Sequence, residues 1–109
     1  MSSPIKDERM KERMRELAAE FLNRESTRAA LLTVTNIELS SDGKHATIML
    51  SILPIEKAYA AVSFANRHRA EFSEYMKKHS KMHFLPRVEF AVDKGEQNRQ
   101  RIDELLVTE

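Results

Sequence analysis

The fold of this 109-residue chain is decided by residues 31–53, LLTVTNIELSSDGKHATIMLSIL. In the second part of this stretch, residues 45–53, apolar and mostly polar side chains alternate. The apolar members, all on one side, are Ala46, Ile48, Leu50 and Ile52. A period of two predicts an antiparallel strand with one face packed on a core, and Pro54 predicts its end.

The first part of the stretch, residues 31–40, is rich in Leu, Val, Thr and Ile, which favour strands. Its apolar parity slips between Val34 and Ile37, and a bulge near Thr35–Asn36 explains the slip. Asp42-Gly43 then stands between two strand-like segments, which is a strong hairpin signal. The stretch is therefore predicted to be a β-hairpin.

Helices and one more strand follow from the spacing of apolar residues outside the hairpin. Helical spacing predicts helices over 5–25, 56–68 and 70–83. Residues 87–92 alternate and predict a third strand, and residues 96–107 predict a short C-terminal helix. The fold class is therefore α+β: a two-layer sandwich in the order α-β-β-α-α-β, with a three-stranded sheet and the helices on one face. The length fits a single domain, residues 1–109.

Composition argues against several functions. The chain has no cysteine, which excludes disulfides and thiolate chemistry and fits a cytoplasmic protein. No apolar run approaches the ~20 residues of a membrane helix, so we expect no membrane partner. A Gly-rich phosphate loop and a Gly-x-Ser-x-Gly elbow are both absent. We therefore expect no enzyme activity, no small-molecule substrate and no cofactor.

Metal binding is not expected either. His79 and His83 are four residues apart on a predicted helix, a spacing that can place two imidazoles on one metal ion. The pattern lacks a third ligand and the flanking glutamate of a metalloprotease helix. We therefore predict no metal site.

The formal net charge is only +1, but the charges are segregated along the chain. Residues 66–87 carry six Lys or Arg against two acids, whereas residues 89–109 carry three against six. Lys and Arg fix phosphates, so a local basic cluster suits an RNA backbone. The candidates are Arg67, Arg69, Lys77, Lys78, Lys81 and Arg87, with secondary contacts at Arg24, Arg28 and His83. From the residues alone, a solvated helix face remains an alternative.

The predicted order of elements is that of the type II KH fold, and three stretches resemble the ribosome-binding factor A family. They are the N-terminal helix RMKERMRELAAEFLNRE, the hairpin, and KMHFLPRVEFAVD of residues 81–93. In the hairpin the matching positions are Val34, Thr35, Ile37, Glu38, Ser40, Asp42 and Ala46; in the last stretch they are Met82, His83, Pro86, Val88, Phe90 and Asp93. The resemblance covers roughly residues 5–106, with IDELL of residues 102–106 in the place of the family's closing helix.

One position departs from the family pattern. The family has an Ala-x-Gly kink between its two consecutive helices, whereas this chain has His68-Arg69-Ala70. Without glycine, a turn with φ above zero is costly. We therefore expect a milder kink, or another residue that absorbs it, and we do not expect the four-nucleotide grip of most KH domains.

The resemblance implies a non-enzymatic factor that binds the free small (30S) ribosomal subunit and its 16S rRNA. It would assist a late step of rRNA processing or folding and would act as a monomer. The alternative is a small protein-interaction module of the same fold that does not act on RNA, using the exposed sheet face or the acidic tail.

Overall fold

The computed structural model describes residues 4–25, 30–82, 84–96 and 98–99. The elements are α1 (Pro4–Glu25), β1 (Leu31–Leu39), β2 (His45–Leu53), α2 (Ala58–Arg67), α3 (Arg69–His79) and β3 (Arg87–Val92). A single 3-10 turn, Ile55–Lys57, precedes α2. The predicted order α-β-β-α-α-β is confirmed.

The sheet has the order β1-β2-β3, so β2 is its central strand. It pairs with β1 antiparallel and with β3 parallel, with His45 opposite Arg87 and Leu50 opposite Val92. Because the two strands are parallel, the first residues of β2 and β3 lie at the same end of the sheet. The helices pack on one face, and the core between the layers takes side chains from all six elements: Met14, Leu17, Ala18, Phe21, Leu22, Val34, Ile37, Ala46, Ile48, Leu50, Ile52, Ala61, Ala65, Phe72, Met76, Val88 and Phe90.

The predicted bulge lies in β1. Val34 pairs with Leu50 and Asn36 with Met49, so Thr35 is the extra residue. Because the bulge reverses the side-chain parity, Val34 and Ile37 are both buried in spite of their odd spacing. The slip in the apolar pattern is thus a structural feature of the strand.

The hairpin turn is held by polar side chains, as Asp42-Gly43 predicts. Gly43 has φ +71°, a left-handed conformation that glycine adopts without strain. The carboxylate of Asp42 accepts hydrogen bonds from the Ser40 hydroxyl (2.6 Å) and the Lys44 N–H (3.0 Å). These bonds, the Ser40 bond first, lower the pKa of Asp42 below its usual value.

The predicted bounds of the second and third helices are wrong. The third helix ends at His79 and not at 83, because Ser80 is extended (φ −142°, ψ 168°) and its hydroxyl donates to the carbonyl of Met76 (2.7 Å). The segment that was predicted to begin a helix at 56 begins as the 3-10 turn, and α2 itself ends at Arg67. The structure therefore has a longer extended connection before β3 than the sequence indicated.

The end of β3 also differs from the prediction. Residues 93–95 were predicted as a turn, but the helical conformation begins at Lys94. Asp93 caps it: its carboxylate accepts the Glu96 N–H (3.1 Å) and the hydroxyl of the bulge residue Thr35 (2.6 Å). Those bonds, with Thr35 the stronger influence, lower the pKa of Asp93. Most of the helix predicted over 96–107 lies outside the described residues.

On the other face of the sheet, Ser51 is 3% exposed although its parity predicted a solvent-facing position. Among the residues that the structure describes, no helix combines the length and apolar character needed to cross a membrane.

Candidate nucleic-acid interface

The joint between α2 and α3 is made by one residue, His68. It has φ −103° and ψ 17°, and its N–H donates to the carbonyl of Ala65 (3.1 Å) while its own carbonyl accepts the N–H of Phe72 (2.9 Å). This sparsely populated conformation keeps φ negative, so it requires no glycine. A non-glycine residue therefore absorbs the kink, one of the two outcomes that the sequence left open.

Side-chain contacts fix the conformation of this joint. The imidazole Nδ1 of His68 lies 3.1 Å from Oε2 of Glu71, and its ring packs against Phe64 with centroids 4.4 Å apart. The guanidinium Nε of Arg69 donates to the carbonyl of Asn66 (3.1 Å). The predicted kink residues His68, Arg69 and Ala70 thus form an ordered joint.

Asn66, which the sequence analysis did not single out, ties this joint to the sheet. Its amide Nδ2 donates to the carbonyl of Phe90 (3.0 Å), and its Oδ1 accepts the N–H of Phe90 (2.9 Å). Phe90 is in the edge strand β3, so the amide satisfies main-chain groups that no further strand pairs. The C-terminal end of α2, where the joint begins, is therefore anchored to the middle of β3.

The C-terminal end of α3 is different. Lys77 pairs with Glu74 (3.2 Å), but both side chains are more than half exposed, so the pair contributes little stability. Lys78 and Lys81 are exposed and form no ion pair with any acid among the described residues. Cations near a helix C-terminus interact favourably with the negative end of the helix dipole. This interaction leaves their ammonium groups free to bind phosphate.

Helix α1 runs antiparallel to α3 and contacts it along its length. Arg13 Nη2 donates to the carbonyl of His79 (2.6 Å), and the Tyr75 hydroxyl donates to Glu20 (2.9 Å). Arg24, predicted as a secondary RNA contact, has its guanidinium carbon 5.5 Å from the centre of the Tyr75 ring. The structure thus gives Arg24 a packing role in this helix pair. The other two secondary candidates, Arg28 and His83, lie outside the described residues.

Arg87 is the exposed first residue of β3, and the parallel pairing with β2 places two further basic residues beside it. Its N–H donates to the carbonyl of Lys44 (2.8 Å), and His45 is its partner in the register. Lys44 and His45 are both exposed. Neither residue was among the cations predicted from the sequence. Both stand where β2 begins, and Arg87 stands where β3 begins. This common position brings them together only because the two strands are parallel, which the sequence does not reveal.

The six predicted cations therefore do not form one row. Arg67 and Arg69 lie at the joint, while Lys77 and Lys78 lie at the far end of α3, about 13 Å along the helix from Arg69 at 1.5 Å per residue. Lys81 follows α3, and Arg87 begins the strand beyond it. Lys78, Lys81 and Arg87, together with Lys44 and His45, make up what we call the basic edge.

Among the described residues, no group of three or more His, Cys, Asp or Glu is arranged to hold a metal ion. His79, one of the two histidines with metal-like spacing, stacks on Tyr75 with ring centroids 4.3 Å apart.

Known proteins resemble this chain in sequence. A family model described as Ribosome-binding factor A matches residues 6–106. Ribosome-binding factor A of Thermodesulfovibrio yellowstonii is 28% identical over 101 residues, which is 91% of this chain and 86% of that protein. Ribosome-binding factor A of Fervidobacterium nodosum is 31% identical over 78 residues, or 71% of this chain, and the match spans only 62% of the relative's own length.

Solved structures resemble it in fold. The crystal structure of ribosome-binding factor A from Thermus thermophilus matches with a TM-score of 0.68 at 22% identity, covering 77% of this chain and 91% of that one. A homology model of the Thermus thermophilus factor, fitted into a cryo-EM map of a complex with 30S, matches with a TM-score of 0.61 at 25% identity, covering 74% and 88%. Since the family model spans nearly the whole sequence and the fold agrees, the chain belongs to the ribosome-binding factor A family.

Proposed function

We propose that this protein binds the free small ribosomal subunit through its 16S rRNA and assists a late step of rRNA processing or folding. The observation that carries the proposal is the basic edge: Lys78 and Lys81 are exposed without an ion-pair partner among the described residues, and Arg87 continues the positive charge. Family membership supports the choice of partner, since the Thermus relative was fitted into a map of a 30S complex.

The proposed mechanism is differential binding. Phosphate contacts from the basic edge stabilise one conformation of the rRNA over others, so the factor shifts the folding equilibrium without making or breaking a covalent bond. The protein acts as a single-domain monomer, without a cofactor, a small-molecule substrate or a membrane, and it leaves before translation begins. The joint between α2 and α3, where the side chains of His68 and Arg69 are engaged in internal contacts, acts as scaffold.

The test compares two double charge reversals that change the net charge equally. Lys78→Glu/Lys81→Glu alters the basic edge, while Lys57→Glu/Lys94→Glu alters two exposed lysines elsewhere on the chain. Co-sedimentation with purified small subunits measures binding. We expect the first variant to bind about tenfold more weakly or worse, and the log–log salt dependence of its affinity to fall by about 1.4, roughly 0.7 for each lost phosphate contact. The control should bind like the wild type.

The proposed role in rRNA processing is tested in cells, by measuring precursor 16S rRNA. Cells that lack the protein should accumulate precursor 16S rRNA, and the control variant should restore processing while Lys78→Glu/Lys81→Glu should not. Equal losses in both variants would contradict the role of the basic edge. Association with a protein that survives nuclease treatment, with no binding to subunits, would favour the interaction module instead.

A further inference from the structure

Phe84 is the most exposed large apolar side chain of the described residues, with 91% of its surface accessible. It lies in the connection between α3 and β3. Three other phenylalanines, Phe21, Phe72 and Phe90, are at most 4% exposed and pack in the core. Since a phenylalanine ring stabilises the fold mainly through burial, this ring makes little contribution to folding.

The neighbours of Phe84 hold it in this outward position. Met82 on one side and Leu85 on the other are partly buried and pack against the core, and Pro86 is buried. The proline also fixes its own φ near −65°. The backbone is therefore anchored on both sides of the exposed ring, which lowers the entropic cost of using it to bind a partner.

Two cations flank this position along the chain. Lys81 precedes Phe84 by three residues and Arg87 follows by three, and three fully extended residues span only about 10–11 Å. Arg87 in turn lies beside Lys44 and His45. The carboxylate of Asp42 accepts hydrogen bonds from the Ser40 hydroxyl and the Lys44 N–H, which are uncharged donors, so one negative charge remains beside these basic residues. The exposed ring thus stands within the basic edge.

We infer that Phe84 is a stacking platform for an unpaired base of RNA, with the adjacent phosphates bound by Lys81 and Arg87. An exposed aromatic ring among cations is the arrangement by which proteins bind single strands, since every base has a face that can stack. In a duplex the bases are already stacked on one another. The inference rests on the proposed function and adds the kind of RNA, a single-stranded segment.

Tyr59 provides a matched control. It is 86% exposed, but it lies at the start of α2, beside the end of β2. The basic edge lies at the start of β2, and the nine residues of that strand span about 27 Å. The two exposed aromatic rings therefore occupy opposite ends of the sheet.

The experiment uses the absence of tryptophan from the chain. Phe84→Trp and Tyr59→Trp each introduce a single indole, whose fluorescence is quenched when a base stacks on it. The probes are a short unstructured oligouridine and an RNA duplex of equal length. We expect oligouridine to quench Phe84→Trp but not Tyr59→Trp, and the duplex to quench neither.

Affinity gives an independent measure. Phe84→Leu keeps an apolar side chain without a π-face, and it should weaken oligouridine binding about tenfold, the scale of losing one base–aromatic stack; Tyr59→Leu should not. Oligouridine binding that is independent of residue 84, no quenching of Phe84→Trp, or equal quenching by the duplex would each overturn the inference. A Phe84→Leu variant that loses only a nuclease-resistant protein partner would also overturn it.

Co-sedimentation of Phe84→Leu and of Lys78→Glu/Lys81→Glu with subunits reports separately on the proposed function. If the lysine variant alone loses binding, that function stands without base stacking.

Discussion

At the N-terminal end of α3 the Arg69 side chain is hydrogen-bonded within the chain, whereas at and just past its C-terminal end Lys78 and Lys81 are exposed without an acidic partner among the described residues. Arg69 donates to the carbonyl of Asn66, whose amide is in turn bonded to β3. Lys78 and Lys81 contact no acid of the described chain. The bond to Asn66 occupies one N–H of Arg69 and fixes the direction of its side chain, while Lys78 and Lys81 are free to orient toward a phosphate.

This comparison changes the weight of the sequence-based candidates. Charge alone places Arg67 and Arg69 on an equal footing with Lys78, Lys81 and Arg87. The hydrogen bond of Arg69 fixes its guanidinium at the joint and separates it from the basic edge. Arg67 is exposed and makes no side-chain hydrogen bond or ion pair among the described residues, so it stays a candidate RNA contact. We therefore expect substitutions at the joint to affect stability first, and those at the basic edge to affect RNA affinity first.

The largest effect on stability is expected from Asn66→Ala. It removes both hydrogen bonds to Phe90 and leaves the carbonyl and N–H of an edge strand without their partner. At about 1 kcal/mol or more for each bond, the free energy of unfolding should fall by roughly 2–3 kcal/mol. Urea titration followed by circular dichroism measures the change. Asn23→Ala, on the exposed surface of α1, is the control and should change it by less than about 0.5 kcal/mol.

A loss as small as the control's would show that the joint is not anchored through Asn66, and the distinction between the two ends of α3 would then fail. RNA affinity sharpens the test. The folded fraction of Asn66→Ala should keep its affinity for small subunits, because the substitution leaves every cation of the basic edge in place.

Restoring the family's glycine tests the joint more finely. Ala70→Gly should cost about 0.5–1 kcal/mol, because Ala70 is a helical residue of α3 and no residue of the joint has a positive φ. Ala60→Gly, at an exposed position of α2, provides the matched measure of the ordinary helical cost. Thermal unfolding of both variants compares them.

If Ala70→Gly were neutral or stabilising while Ala60→Gly destabilised, the joint would prefer a left-handed residue, and the role assigned to His68 would be wrong. We expect the two costs to agree, and we expect neither variant to bind small subunits more tightly.

The parts of the fold that could be predicted from the sequence are those with a local signal. The hairpin, the bulge at Thr35 and the strand over 87–92 followed from period-two patterns and from Asp42-Gly43, which are local signals. The end of α3 did not, because the apolar pattern continues to Met82. That methionine lies outside the helix but still packs against the core, so in sequence it resembles one more turn of helix.

Most cations of the candidate site could be predicted from the sequence, but their arrangement in space could not. Segregated charge identified the lysines of α3 and Arg87, but Lys44 and His45 join Arg87 only through the parallel register of β2 and β3. No local pattern encodes which strands are neighbours. Asn66 was missed for a related reason, since an asparagine that satisfies a strand edge looks in sequence like any polar residue of a helix.

The smallest effect on stability and affinity is expected at the ion pair of Lys77 with Glu74. Lys77 is a cation at the C-terminal end of α3 that has a partner within the chain, as Arg69 has at the N-terminal end. Glu74→Gln should change stability by less than about 0.5 kcal/mol, since both partners are more than half exposed. It should raise the affinity for small subunits about twofold at low salt, because a negative charge beside the basic edge is removed. Glu96→Gln, which alters an i,i+3 pair beyond the other end of β3, controls for the change in net charge. If both variants bound equally well, overall charge would govern binding; a gain confined to Glu74→Gln would place the rRNA at the C-terminal end of α3, because screening limits an exposed charge to partners within about a Debye length.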